Sequence, residues 1–182
     1  MSAPMIAISG KSGCGNTTVS RLLAAKLGFE LVNFTFRNLA AERGVDLATI
    51  IELAEEDFSF DRLVDARQVE LARAGDSVIG SRLAIWMLPD ASLRIYLTAS
   101  AEARARRIWS REGGEYEAVL AFTRDRDAKD HERYRRIYAI DNDDFAFADL
   151  IINTERFAPE AIVEIIIQAY NETKKNRIAI SS

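Results

Sequence analysis

The chain has 182 residues, of which 48% are apolar, and this is enough to bury the core of one domain with small inserts. Its formal net charge of −4 argues against a generally basic surface for nucleic acid or anionic membranes. The single cysteine, Cys14, excludes an intramolecular disulfide, and no apolar run approaches membrane-spanning length. Because the first residues also lack a signal-peptide pattern, we expect a cytoplasmic protein. From the length of the chain, we expect a single domain over residues 1–182.

The first predicted strand, Met5 to Ser9, is apolar throughout most of its length and leads into a glycine-rich stretch. This stretch fits the phosphate-loop pattern Gly-x-x-x-x-Gly-Lys-Ser/Thr with one change, because Asn16 stands at the lysine position. The glycines let backbone N–H groups point at a phosphate, and the following helix adds the positive end of its dipole. We predict that Thr17 is the Mg²⁺ ligand and that the nucleotide is bound by Gly10, Lys11, Ser12, Gly13, Cys14, Gly15, Asn16, Thr17 and Thr18.

The altered position removes a positive charge from the loop. An asparagine amide can donate a hydrogen bond to a phosphate, but losing the lysine would cost about 3 kcal/mol of transition-state stabilisation. Lys11 lies one residue after the first glycine, and its side chain is long enough to bend back over the phosphates. The arrangement Gly-Lys-x-Gly-x-Gly resembles the loops of partition-type ATPases, in which a lysine at this position joins phosphate binding. We predict that Lys11 replaces the missing lysine; a loop that binds nucleotide without transferring phosphate remains an alternative.

A helix from Thr17 to Leu27 and a strand from Phe29 to Val32 complete a strand–loop–helix–strand unit, which indicates an α/β fold. No strand pattern follows until Ser77. Apolar residues three and four apart instead predict three helices that form an insert, at Phe36–Arg43, Leu47–Glu56 and Phe60–Arg73.

The third predicted strand, Ser77–Ile79, is followed by Arg82, which should therefore lie at the carboxyl edge of the sheet, where ligands bind in open α/β folds. Ten arginines lie between Arg94 and Arg136, and Gly113-Gly114 makes a plausible hinge between two charged helices. The remaining predicted elements are strands at Leu93–Leu97 and Leu150–Asn153 and helices at Ala101–Glu112, Tyr116–Tyr138 and Pro159 to about Lys174.

Together these features resemble nucleoside monophosphate kinases, and in particular the cytidylate kinase group. The resemblance runs from Ile6 to about Ile166, and the stretch from Tyr138 to Asp144 looks like the short, archaeal-type branch. Beyond the loop, it is carried by three stretches: Asp65 to Glu70, Gly80 to Trp86, and Arg124 to Arg133. It implies an α/β P-loop NTPase three-layer fold with a five-stranded parallel sheet, a helical monophosphate-binding insert at about 36–74 and an arginine-rich lid at about 111–136.

The resemblance also implies an activity and a set of site residues. The expected reaction moves the γ-phosphoryl of ATP, with Mg²⁺, to a nucleoside monophosphate, and CMP or dCMP is the expected acceptor. The implied roles are catalysis for Lys11, Arg124 and Arg126, nucleotide binding for Arg107 and Arg111 beside the loop, and acceptor binding for Arg37, Arg82, Asp130 and Arg133. We expect small-molecule nucleotides as partners, no nucleic acid or membrane, and a monomer or weak homodimer.

The chain departs from the family pattern at two places. Asn16 replaces the lysine, and Gly80-Ser81 stands where the family often has an acidic residue followed by glycine. The loss of one basic and one acidic residue preserves the local charge balance. This favours the hypothesis that the site has changed as a unit and has not simply decayed. Two other functions stay open at this point: a nucleotide-binding sensor or regulator without kinase turnover, and a kinase for another small acceptor such as a nucleoside or a shikimate-like alcohol.

Overall fold

Five parallel strands form the central sheet of the computed structural model, which describes residues 3–180 and the side chains of residues 3–175. The chain runs as β1 (Met5–Ser9), α1 (Asn16–Leu27), β2 (Glu30–Val32), α2 (Phe36–Arg43), α3 (Leu47–Glu56), α4 (Ser59–Arg73), β3 (Ser77–Gly80), α5 (Ala84–Met87), β4 (Leu93–Thr98), α6 (Ala101–Glu112), α7 (Tyr116–Tyr138), β5 (Leu150–Asn153) and α8 (Pro159–Ile180).

The strand order β2-β3-β1-β4-β5 places the first strand in the middle of the sheet. In the register, Ile8 of β1 lies opposite Gly80 of β3 on one side and opposite Ile95 of β4 on the other. The carboxyl ends of these three strands therefore meet at one edge. Strands β2 and β3 lie on one side of β1, and β4 and β5 lie on the other. The loop after β1 is therefore at the topological switch point of the sheet, where α/β folds bind their ligands.

The two faces of the sheet have separate cores. On one face Ile6, Ile8 and Ile95 pack with residues of α1 and α8, and on the other Ala7, Ile79 and Tyr96 pack with residues of α4 and α5. This arrangement gives the three layers expected from the sequence. None of the helices within the described residues combines the length and apolar character that crossing a membrane requires.

The helical insert has a small core of its own, in which Phe34, Leu39 and Ile50 pack together with Ala40 and Val64. Its first two helices also begin at well-formed caps. The Asp46 carboxylate accepts from the Thr49 N–H at the start of α3, and Asn38 accepts from the Thr35 N–H at the start of α2. Such local signals explain why the sequence predicted these helices closely.

The predicted fold is confirmed, with two kinds of difference. Most element ends agree within one residue; α1, for example, begins at Asn16 and not at Thr17, and β3 extends to Gly80. The short helix α5, at Ala84–Met87, was not predicted, because four residues are too few to show a helical period. The predicted end of the last helix near Lys174 is also short of the observed end at Ile180.

Candidate nucleotide-binding and phosphoryl-transfer site

The loop after β1 has the backbone shape of an anion-binding loop. Gly13 and Gly15 have φ values of 83° and 100°, which few residues other than glycine adopt. The first helical hydrogen bond of α1 runs from the Val19 N–H to the Gly15 carbonyl, so the N–H groups of Asn16, Thr17 and Thr18 have no partner within the helix. No atom lies within 4 Å of the place where a Cβ of Gly15 would stand. The loop thus offers open space lined by N–H donors.

The Asn16 side chain stabilises this loop by a hydrogen bond to its backbone. Its Nδ2 donates to the Gly10 carbonyl oxygen at 2.6 Å, and its Oδ1 is buried without a hydrogen-bond partner among the described residues. The Oδ1 atom would stand only 2.8 Å from a Cβ at Gly10, which also faces the Leu97 carbonyl oxygen. The side chain at the lysine position is therefore directed at the loop backbone. A direct contact between Asn16 and the nucleotide stays a prediction.

Two arginines of α6 hold the loop through its carbonyl groups. Arg104 donates to the Ser12 oxygen at 3.1 Å, and Arg107 donates to the Gly13 oxygen at 3.1 Å and to Thr154. The Arg104 guanidinium, 3% exposed, also makes a two-pronged ion pair with Asp127 of α7. Arg107, predicted to bind the nucleotide, donates these hydrogen bonds to protein oxygens, and its contact with the nucleotide stays a prediction. Arg104 was missed by the sequence analysis, although it lies one turn before Arg107 on the same helix face.

Lys11, the predicted cation of the loop, forms an ion pair with Asp143, its Nζ 2.6 Å from the carboxylate. Asp143 belongs to the turn after α7, where the buried Asn142 contacts the ring of His131. Neither Asp143 nor Asn142 was assigned a role from the sequence. The lysine side chain is 27% exposed, so it reaches the surface beside the open face of the loop.

The cysteine of the loop faces inward. Cys14 is 2% exposed and packs in the core against the sheet, and burial raises the pKa of its thiol. The thiol therefore fills space in the core, and only the backbone of Cys14 is suited to meet a phosphate.

Arg82 and Asp130 belong to a second part of the site, the cleft between the helical insert and α7. The Nε atom of Arg82 lies 3.1 Å from an Asp130 oxygen. Tyr134 lines the cleft together with Arg82, and burial raises the pKa of its hydroxyl to about 12. Burial, and then the positive charge of Arg82, lower the pKa of the Arg126 guanidinium. Burial raises the pKa of the Asp130 carboxyl despite these two arginines. Two half-buried guanidiniums with one carboxylate between them leave an unneutralised positive charge.

The two regions are connected. A cleft of about 680 Å³ runs between the insert and α7 and is lined by Arg82, Arg126, Asp130 and Arg133 with the rings of Phe58 and Phe122 among others. Arg82 and Asp130 also line a narrow cavity whose other walls include Gly10, Lys11 and Asp127. A molecule seated in the cleft would therefore have its charged end beside the phosphate loop.

The remaining predicted residues are spread more widely. Arg133 pairs with Asp61 of α4, with its Nε at 2.9 Å from the carboxylate, and so closes the wall of the cleft. Arg124 and Arg111 are exposed and pair with Glu102 and Glu112. Arg37 is exposed on α2 and has no hydrogen bond or ion pair within the described part of the chain. The structure thus brings Lys11, Arg82, Arg126, Asp130 and Arg133 together; a role for Arg37, Arg111 or Arg124 stays a prediction.

Thr17 meets the geometric requirement for a metal ligand in this loop. It lies in the first turn of α1, its side chain is exposed, and its hydroxyl has no hydrogen-bond partner within residues 3–175. Gly80, at the position of the family's acid, cannot carry a larger side chain here, because a Cβ would stand 2.1 Å from the Ser20 hydroxyl oxygen. The residues present therefore fit an Mg²⁺ ion that takes one ligand from the protein and the others from phosphate and water.

A model of the cytidylate kinase-like family matches residues 5–156. The chain belongs to this family. Cytidylate kinase 2 of Borreliella afzelii is 44% identical over 165 residues, covering 88% of this chain and 93% of that protein. Cytidylate kinase of Archaeoglobus fulgidus is 39% identical over 176 residues, covering 95% and 97% of the two chains.

Solved structures show the same fold in more distant kinases. Shikimate kinase from Acinetobacter baumannii, solved in complex with shikimate, superposes with a TM-score of 0.63 at 21% identity, covering 94% of this chain and 95% of that one. Shikimate kinase from Bacteroides thetaiotaomicron gives the same TM-score at 18% identity, covering 92% and 98%. At these identities the likeness shows the fold alone. This member of the cytidylate kinase-like family thus has a P-loop kinase fold, as the sequence predicted.

Proposed function

We propose that this protein transfers the γ-phosphoryl group of ATP to CMP or dCMP. The observation that carries the proposal is the position of Arg82 and Asp130, which line both the large cleft and the narrow cavity beside the phosphate loop. A nucleoside monophosphate in the cleft would place its phosphate on Arg82 and Arg126. An anion there relieves the repulsion between the two guanidiniums. The cytidylate kinase names of the relatives support the choice of acceptor.

On the donor side, the loop N–H groups would hold the ATP phosphates and Lys11 would supply the positive charge. Mg²⁺ on Thr17 would neutralise charge on the phosphate oxygens when it is bound. Phosphoryl transfer asks little covalent chemistry of the protein, so the rate depends on positioning and on stabilising charge in the transition state. Arg82 is suited to that task because it lines both the narrow cavity that Lys11 lines and the large cleft that Arg126 lines.

The proposal is tested by a product-resolved assay with ATP, Mg²⁺ and each of CMP, dCMP, UMP, AMP and GMP. We expect CDP or dCDP as product, and we expect the Arg82→Gln variant to lose most of this activity while still binding ATP. Arg73→Ala removes an exposed arginine that pairs with Asp90 at the end of α4, just before the first residue of β3 and so away from the carboxyl edge of the sheet, and serves as the matched control with unchanged rate.

Two outcomes would overturn the proposal in different ways. ATP binding without phosphorylation of any acceptor would identify a nucleotide-binding protein that acts as a sensor or regulator. Phosphorylation of a nucleoside or a small alcohol that is insensitive to CMP would identify a kinase for another acceptor. A circular dichroism melt of each variant separates loss of activity from loss of fold.

A further inference from the structure

A small cavity opens beside the large cleft, between the end of β2, the inner face of α4 and Arg82, and Arg82 and Tyr134 line both spaces. Its volume is about 200 Å³, and Phe34, Phe36 and Val64 give it an apolar wall. A cavity of roughly 150 Å³ is known to hold one benzene ring. The space therefore suits a single six-membered ring better than a fused pair of rings, and Arg82 at its margin links it to the phosphate-binding region.

Two acceptor groups of α4, on Asp65 and Gln68, line this cavity. The residues are three apart, so their side chains lie on the same helix face. The Oδ2 atom of Asp65 accepts from the Tyr138 hydroxyl at 2.5 Å, which leaves Oδ1 without a protein partner among the described residues. Within the part of the chain that the structure describes, no cation faces this carboxyl: its charged neighbour is Asp61, which is already paired with Arg133.

The orientation of the Gln68 amide is fixed. Its Nε2 donates to the Phe34 carbonyl oxygen at 2.7 Å, so a flipped amide would set two oxygens against each other. The Oε1 atom is then the free end, and it has no hydrogen-bond partner within the described part of the chain. Asn16 Oδ1 is the one unpaired side-chain atom there that is fully buried, so Asp65 Oδ1 and Gln68 Oε1 are both accessible.

Two adjacent acceptors match one edge of one base. Cytosine carries an exocyclic amine with two N–H donors, and a carboxylate is the side chain that reads this amine in nucleic acid recognition. Uracil carries a carbonyl oxygen at the same place, which would face two other oxygens. Burial raises the pKa of the Asp65 carboxyl because it disfavours the charged form. An incoming N–H donor would stabilise that charged form.

We infer that Asp65, assisted by Gln68, determines the base specificity of this protein by accepting hydrogen bonds from the amine of a cytosine ring seated in the α4 cavity. The inference rests on the proposed function and names the residues that choose the acceptor base. A purely structural role for Asp65, tying α4 to the end of α7 through Tyr138, uses only one of its two oxygens and leaves the acceptor pair unexplained.

The test compares kcat/KM for CMP and for UMP in wild type and in Asp65→Asn, which keeps the shape of the side chain but offers N–H donors. We expect the CMP-to-UMP ratio to fall about 10- to 100-fold, because a base-reading contact contributes roughly 1–3 kcal/mol of discrimination. Tyr138→Phe is the matched control: it removes the tie to α7 and should lower thermal stability while the preference for CMP is kept. Asp65→Glu, which keeps the charge but moves the oxygens, should also lower the ratio.

An unchanged ratio in both Asp65 variants would overturn the inference while leaving the kinase intact. Equal loss of the ratio in Tyr138→Phe and Asp65→Asn would also overturn it, in favour of the structural tie. If wild type phosphorylates no monophosphate, the proposed function fails first. Calorimetric titration with cytidine and uridine then tests the cavity by itself, and equal binding of the two nucleosides would reject the role of Asp65.

Discussion

At the scale of single residues, the loop has its internal hydrogen bond and its positive charge on two different side chains. Asn16 makes the hydrogen bond, to the Gly10 carbonyl, and Lys11 is the positively charged residue, which pairs with Asp143. The partner of Lys11, Asp143, is 52% exposed, and ion pairs at the surface are worth at most about 1 kcal/mol. The ammonium group of Lys11 can therefore exchange a carboxylate for a phosphate at little cost.

This division of tasks predicts different effects for the two loop residues. We expect Lys11→Ala to lower kcat/KM by about 10²–10³, the loss typical of removing one preorganised donor of charge stabilisation. Asn16→Ala should be milder, because the asparagine amide is neutral and faces the loop backbone. Lys26→Ala removes an exposed lysine that pairs with Glu164 and controls for the change in net charge. Initial rates and an ATP titration measure the effects. Equal or reversed losses at Lys11 and Asn16 would reject the hypothesis that Lys11 replaces the lysine missing at position 16.

At the scale of elements, α6 connects the phosphate loop to α7. Arg104 lies at the junction, because its guanidinium reaches the Ser12 carbonyl and the Asp127 carboxylate together. A second ion pair, between Glu102 and Arg124, joins the same two helices on their exposed side. The two pairs differ chiefly in burial, so they form a matched comparison.

We predict that Asp127→Asn lowers the free energy of unfolding by about 3–5 kcal/mol, because it leaves the buried Arg104 charge without its partner. Glu102→Gln, at the exposed pair, should cost less than about 1 kcal/mol. Urea unfolding of both variants at pH 7 measures the difference. Similar losses in the two variants would mean that Arg104 is solvated in the folded protein and that the junction does not hold the loop.

The sequence predicted elements better than the contacts between them. Helix α2 was predicted at its observed bounds, because its capping residues and its stop at Gly44 are local signals. The junction at Arg104 was missed, because its contacts depend on how close α6 lies to a loop 92 residues earlier. The pairing of Lys11 with Asp143 was missed for the same reason. The absence of the family's acid at Gly80 is also explained only in three dimensions, by the nearby Ser20 side chain.

At the scale of the whole molecule, the insert stands apart from the sheet. The core of α2 and α3 is a satellite cluster around Ile50, whereas α4 reaches the main core through Ala72. The insert is also tied to α7, through Asp61 with Arg133 and Asp65 with Tyr138. A segment with a separate small core can open while the sheet stays folded.

We predict that hydrogen exchange distinguishes these two levels of stability. Ile50→Val costs roughly 0.5–1.5 kcal/mol of packing, so amides of α2 and α3 should exchange up to about tenfold faster while those of β1 and β4 are unchanged. Ile95→Val makes the same change in the central sheet and should raise exchange in both regions, because unfolding of the sheet removes the support of the insert. Both side chains are fully buried in the structure, so the two variants are matched.

The comparison between the variants decides whether the cleft can open by itself. Faster exchange confined to residues 36–56 in Ile50→Val would mean that the wall of the large cleft moves without loss of the fold. Such motion would let a nucleotide enter while Arg82, on the sheet side, keeps its place. A uniform rise in exchange would instead mean that insert and sheet unfold as one unit, and access to the cleft would then have to come from movement of α7.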